Sequence, residues 1–205
     1  TIRPASQRVL RPRLIERLNA GLQGRLTLIS APAGFGKTTL AAEWACSTPY
    51  EIAWVSIDGQ DNDHVQFLSY LIAALRQVDG QIGQTTEQMI HSPRLPALQT
   101  LITPLINDLA GTSTPLMLVL DDYHLITSDA VHQIVRGLLS RDLPALYLVL
   151  ITRKDPPLPL ARLCARGQMT EIRQQDLRLT RPETAAFLRQ SIDSTLTEQA
   201  ITSLA

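Results

Sequence analysis

The residues best suited to chemistry stand together as Ala31-Pro32-Ala33-Gly34-Phe35-Gly36-Lys37-Thr38-Thr39. Gly34 and Gly36 can turn the backbone so that successive amides from Ala33 and Phe35 onward face one point. A helix opened by Lys37 would add its positive N-terminal end to that point. Such a cradle suits a polyphosphate: Lys37 would reach the outer phosphates as a point charge, and the Thr38 hydroxyl would ligate Mg²⁺. The Thr39 hydroxyl can add a contact to the innermost phosphate. The full pattern GxxxxGK[ST] has glycine where this chain has Ala31, and alanine is tolerable there if the position needs no positive φ. The competing reading, a glycine-containing turn that binds nothing, is disfavoured by an apolar strand before the loop and a helical pattern after it.

A second group of candidates ends the apolar run Leu116-Met117-Leu118-Val119-Leu120 with the carboxylates Asp121 and Asp122. In a parallel sheet the C-terminal strand ends gather on one edge, so Asp121 can approach the metal held by Thr38. Asp122 can take the proton of an attacking water, or it can merely cap the following turn. Arg153 ends the next apolar run on the same edge. Its guanidinium can stabilise charge on the transferred phosphoryl group, or it can be a solvated edge residue. His124 reads as a surface or packing residue as readily as a catalytic one, and stays outside the candidate set. The stretch Arg11-Pro12-Arg13-Leu14 is either a solvated basic face or a segment packed beside the loop that contacts adenine. Asp58, Asp61 and Asp63 are accounted for by turn and cap roles, and Trp44 and Trp54 by core or interface packing.

These groups need elements to hold them. Short apolar runs alternate with helical patterns: strands over 26–30, 52–57, 116–121 and 145–152, and helices over 37–46, 64–78, 95–109 and from Thr127 or Ser128 to 140. Asp63 is positioned to cap the second of these helices, and residues 79–94 read as polar and turn-rich. Beyond Arg153, three prolines make a bend, followed by a short helix over 160–166 and a strand over 169–179. Thr180 and Glu183 form a capping-box signal for a helix to about residue 190, with another helix starting near Thr197. Strands apolar on both faces and separated by helices predict an α/β three-layer sandwich around a mainly parallel sheet. The expected division is a nucleotide-binding domain over 1–179 and the start of a helical lid over 180–205.

Composition narrows the function classes. The 205 residues carry 19 basic and 19 acidic side chains, a formal charge of zero, which argues against a nucleic-acid module built on concentrated Lys and Arg. Two cysteines far apart indicate neither a disulfide framework nor a zinc site. No apolar stretch approaches the roughly 20 residues of a membrane span. The expectation is a cytoplasmic chain without membrane contact, cut from something longer.

With these residues in place the chain resembles the signal transduction ATPases with numerous domains, the STAND class. Within it, the chain is similar to the large ATP-binding LuxR-type regulators of the maltose-regulon-activator kind. The resemblance rests on Arg11 to Leu14, Ser30 to Thr39, Trp54 to Asp63 (WVSIDGQDND), Val119 to Leu125 (VLDDYHL) and Thr152 to Gly167. It runs in order along nearly the whole chain, and Ala31 is usual in that family. It implies an ATP/ADP-operated switch with slow Mg²⁺-dependent hydrolysis and self-association of the full-length protein on activation. DNA contact is implied only through a C-terminal domain that these residues do not contain. The alternatives are a nucleotide-binding module without significant turnover and a DNA-processing ATPase.

Overall fold

The computed structural model describes residues 11–191. Five strands form one sheet in the order β2-β3-β4-β1-β5: β1 (Leu26–Ser30), β2 (Glu51–Ser56), β3 (Leu116–Asp121), β4 (Leu146–Thr152) and β5 (Met169–Arg173). Every neighbouring pair is parallel. β1, β3 and β4 are buried along their whole length, which is why they read as mostly apolar runs, with Thr27 the polar residue inside β1, rather than as alternating ones.

The strand period of two divides the core between the faces of the sheet. Leu116, Leu118 and Leu120 join Leu146, Leu148 and Leu150 in a cluster with α3 (His64–Leu75), α5 (Leu98–Gly111) and α6 (Asp129–Ser140). Met117 and Val119 point the other way, with Tyr147, Val149 and Ile151, against α1 (Pro12–Ala20) and α2 (Lys37–Ala45). Trp44 is fully buried in this second cluster, while Trp54 packs partly buried against it. Buried Thr27 is satisfied by the Tyr147 hydroxyl at 2.8 Å, which also donates to the Gly21 carbonyl; burial pushes the tyrosine pKa up to about 12.

Three local expectations change. The turn-rich segment over 79–94 contains α4 (Gln84–Ile90), too short and polar to show a period. Tertiary bonds hold it: the Gly83 amide donates to Asp108 Oδ2 at 2.8 Å, and Thr86 Oγ1 donates to the Leu101 carbonyl at 3.0 Å. The expected strand over 169–179 ends at Arg173, where Asp176 Oδ2 accepts the Arg173 amide and turns the chain into the short helix α8 (Gln174–Leu177). Ser128 occupies the N-cap of α6 without making a side-chain cap bond; its own amide and that of Thr127 donate to Asn62 Oδ1. Asp63 does cap α3, accepting from the Val65 and Gln66 amides at 2.9 Å each.

The short helix α7 (Leu160–Ala165) leads into β5. At α9 (Arg181–Ser191) the capping box is made: Thr180 N donates to Glu183 Oε2 at 2.8 Å and Glu183 N to Thr180 Oγ1 at 3.4 Å. The helix expected near Thr197 lies outside the described residues. Among the described residues no helix is long and apolar enough to cross a membrane.

Candidate functional site

The loop between β1 and α2 owes its shape to two glycines. Gly34 and Gly36 have φ of 83° and 72°, the left-handed region that a side chain disfavours by about 1 kcal/mol or more. A Cβ on Gly34 would meet nothing within 4 Å, so that side of the loop is open. Gly36 is the N-cap of α2, which makes Lys37, Thr38 and Thr39 the first turn of that helix, where amides lack intrahelical partners. This meets the geometric requirement of an anion cradle. Ala31 is buried and its amide bonds to the Thr152 carbonyl; it is not among the positive-φ residues, so its side chain is no obstacle.

Lys37 is buried at the loop and donates from Nζ to the Pro32 carbonyl at 2.9 Å. Burial, helped by the nearby positive Arg153, lowers its pKa, while Asp122 and Asp121 oppose the shift. A group in this setting gains from an incoming anion.

Register brings the second constellation to the loop. Thr38 Oγ1 donates to Asp121 Oδ1 at 3.2 Å although 83 positions separate the residues. The same oxygen accepts the Asp122 amide at 2.9 Å. Burial raises the Asp121 pKa against both hydrogen bonds, so this carboxylate is short of positive charge. A hydroxyl and a carboxylate are hard oxygen donors of the kind Mg²⁺ takes, so the pair fits that ion in the presence of phosphate oxygens.

Asp122 is the one positive-φ residue other than glycine among those described, at φ 55°. It heads a 3₁₀ turn over Tyr123–Leu125, yet its side chain makes no capping bond and stands about half exposed. The turn-capping alternative therefore lacks its hydrogen bond. Asp122 Oδ1 lies 3.7 Å from His124 Nδ1, a buried nitrogen with no hydrogen-bond partner among the described residues. Burial and Arg153 lower the His124 pKa. His124 thus belongs to the same constellation, and its signal in the sequence was only its nearness to the acidic pair. Arg153 is exposed at the end of β4 and acts electrostatically on both Lys37 and His124. A cavity of about 290 Å³, bounded in part by His124, Thr127, His132 and Lys154, adjoins this turn.

The Arg11 to Arg13 stretch packs beside the loop. A Cβ built on Gly36 would stand 3.1 Å from Arg11 Nη2, and Arg11 Nη1 donates to the Leu177 carbonyl at 3.3 Å. Pro12 opens α1, where its missing N–H costs nothing. Arg13 forks onto Glu183, Nε to Oε1 at 3.0 Å and Nη2 to Oε2 at 3.2 Å, and also reaches the Arg178 carbonyl. With Arg17 on Asp176 at 2.7 Å, this stitches the first helix to the segment entering α9. Arg11 is thus placed beside the loop, whereas the bonds of Arg13 and Arg17 run to the segment over 176–183, and none of these bonds is itself an adenine contact. Asp58 and Asp61 act in a turn: Asp61 Oδ2 accepts the Asp58 amide, and Asp58 Oδ1 the Gln60 amide. Among the described residues no three His, Cys, Asp or Glu side chains group as a metal site.

A five-stranded parallel sheet with a glycine-shaped loop after β1 and an acidic pair at the end of β3 is the α/β fold of P-loop nucleotide-binding proteins. Residues 8–151 match the AAA ATPase domain, and the chain belongs to that family. It is 40% identical over 179 residues to the HTH-type transcriptional regulators MalT of Serratia proteamaculans and of Cronobacter sakazakii, covering 87% of this chain and 20% of each relative. The chain spans about a fifth of the length of these relatives. Among solved structures it resembles a STAND protein with a tetratricopeptide repeat sensor from Pyrococcus horikoshii. That match has a TM-score of 0.71 and 17% identity, covering 98% of this chain and 28% of that one. Cdc6p from Pyrobaculum aerophilum is similar at a TM-score of 0.57 and 14% identity, over 92% of this chain and 52% of that one. At these identities the structural likeness speaks for the fold alone.

Proposed function

We propose that this domain is an ATP/ADP-binding switch within a transcriptional regulator, reset by slow Mg²⁺-dependent hydrolysis. The observation that carries the reading is the Thr38 to Asp121 hydrogen bond at 3.2 Å, made beside the Gly34 and Gly36 turn. In this reading the amides of Ala33 to Thr39 and the Lys37 ammonium hold the phosphates, while Thr38 and Asp121 hold the metal. When bound, Mg²⁺ neutralises charge on the outer phosphate oxygens. Asp122 orients the attacking water and takes its proton, and Arg153 stabilises the charge that builds during transfer. Arg11, Pro12 and Arg13 supply backbone and apolar contacts to the adenine base.

Relatives named as transcriptional regulators support a regulatory role, and in this reading DNA recognition belongs to residues outside these 205. The balanced charge of this chain agrees with that division and disfavours a DNA-processing ATPase. Residues 1–179 form the nucleotide-binding core in this reading and 180–205 open a helical lid. The nucleotide drives self-association of the full-length protein. Denaturing the purified protein and identifying the released nucleotide by chromatography, followed by single-turnover hydrolysis, tests the proposal. Release of an adenine nucleotide and measurable turnover are expected. A protein that carries none and takes up none with Mg²⁺ removes the switch.

A further inference from the structure

The segment carrying Asp121 and Asp122 is held on both sides by one neighbouring loop, and a single amide side chain makes most of that grip. The loop after β2 begins with the Ile57 amide donating to the Asp121 carbonyl at 3.0 Å. Five residues later it returns to the far end of the same segment through Asn62. Asn62 Oδ1 accepts three hydrogen bonds, from Thr127 N at 2.6 Å, Ser128 N at 3.0 Å and Thr127 Oγ1 at 3.1 Å. Its Nδ2 donates to the Leu125 carbonyl at 3.0 Å and to the Gly59 carbonyl of its own loop at 3.2 Å.

These partners settle which end of the amide is which. Two backbone amides face the oxygen and two carbonyls face the nitrogen, so the flipped orientation would set donors against donors and acceptors against acceptors. No other residue type of this size offers both halves. Aspartate keeps the acceptor and loses the donor, while alanine loses both.

From this geometry we infer that Asn62 is a positioning residue for the hydrolytic site, clamping residues 125–128 so that Asp122 and His124 are held at the outer-phosphate end of the cradle. The assignment rests on the hydrolysis proposed above. Asp122 sits at φ 55°, a backbone state that persists only where the surroundings over-determine it. The bonds local to its 3₁₀ turn are few: Leu125 N to the Asp122 carbonyl and Ile126 N to that of Tyr123. The next groups along the chain, Leu125 O, Thr127 N and Ser128 N, are those that Asn62 holds. Releasing them lets the turn relax toward ordinary backbone angles and swings the Asp122 carboxylate away. The cradle itself, built from residues 31–39, has no bond to Asn62 and stays intact.

The expected signature is a split between chemistry and binding. In the full chain, Asn62→Ala slows single-turnover ATP hydrolysis by about tenfold or more, as a displacement of about an ångström does in a catalytic site. Affinity for ADP with Mg²⁺ stays within about twofold of the parent. Asn62→Asp keeps the three accepted bonds, folds, and hydrolyses at a rate between the two. Parental rates in both variants overturn the inference, as does ADP affinity falling in step with the rate, which is what a purely structural role produces. If the parent itself turns over no ATP, the hydrolysis reading fails separately. The clamp is then read from the ratio of affinities for a non-hydrolysable ATP analogue and for ADP. That ratio is expected to shift severalfold in Asn62→Ala, and an unchanged ratio rejects the clamp.

Discussion

The two halves of the candidate site are built by different means. The cradle after β1 is nine consecutive residues whose function resides in backbone direction, set by Gly34 and Gly36 and by the first turn of α2. The acidic half is drawn from three separate stretches, the loop after β2, the segment after β3 and the end of β4, and its function resides in side chains. The first half can form wherever a strand feeds a helix through that turn. The second exists only once β2, β3 and β4 are in register. A local device tolerates change elsewhere in the chain; an assembled one is exposed to every segment that contributes to it.

This contrast can be broken by mutation, most sharply at Asp122. Asp122→Asn is expected to leave nucleotide affinity near the parent value and slow hydrolysis by about 10²–10⁴, the range general-base catalysis supplies. Equal rates in single-turnover measurements would take Asp122 out of the proton-accepting role. Lys37→Ala should do the reverse, costing about 10- to 100-fold in ATP affinity by loss of a charge-assisted contact, as read by titration with a fluorescent analogue. Unchanged affinity would mean that the cradle does not bind phosphate.

Gly36→Ala tests the backbone half itself. A side chain at φ 72°, with its Cβ 3.1 Å from Arg11 Nη2, should lower stability by about 1–2 kcal/mol in denaturant unfolding, with affinity falling alongside. A fully stable, fully binding variant would show that the left-handed turn is dispensable.

The acidic half should also carry the pH dependence. Burial, then neighbouring positive charge from Arg153 at His124 and Arg136 at His132, holds both histidines below the ordinary value; His132 Nδ1 faces the Tyr123 hydroxyl at 2.9 Å. For a depressed native pKa the unfolded chain binds protons first. The stabilisation is therefore complete above about pH 6.5 and lost as pH falls through the native values. Unfolding midpoints measured from pH 7.5 down to 5 should decline, and the decline should flatten in His132→Phe. The smallest effect is expected at Asp121, whose raised pKa has the opposite sign: ionisation there opposes folding at neutral pH. Asp121→Asn keeps Oδ1 for Thr38 and the Asp122 amide, and should raise the melting temperature by about 2 °C while metal-dependent turnover is lost. A lower melting temperature would contradict the cost assigned to that buried charge.

The same local-versus-assembled difference separates what the amino-acid order disclosed from what it hid. The cradle, the first four strands along the chain and the Asp63 cap were legible because each is a short-range pattern: a glycine spacing, an apolar run, a polar residue at a helix start. Helix α4 was not, since its seven residues carry no period and are held by Asp108 and Leu101 from α5. Asn62 does not stand out between Asp61 and Asp63, because an asparagine in a polar loop is ordinary until its five hydrogen bonds, made to four residues of which three lie more than 60 positions away, are seen together. Ser128 does stand at the N-cap of α6, as its place before the helix pattern suggests, but its hydroxyl makes no cap bond, and only the structure shows its backbone N–H held by Asn62.

By itself the amino-acid order determined an α/β chain with a glycine turn between strand and helix, because strand and helix patterns and left-handed glycines are decided within a few residues; the meeting of Thr38 with Asp121, 83 positions apart, it could only anticipate from the gathering of parallel strand ends on one edge. Only the tertiary structure decided which segments brace the acidic pair, that His124 stands beside Asp122, and that Arg13 and Glu183 join α1 to α9. Those outcomes depend on sheet register and on hydrogen bonds between distant groups, and the energy of such contacts exists only after the chain has closed the loops between them.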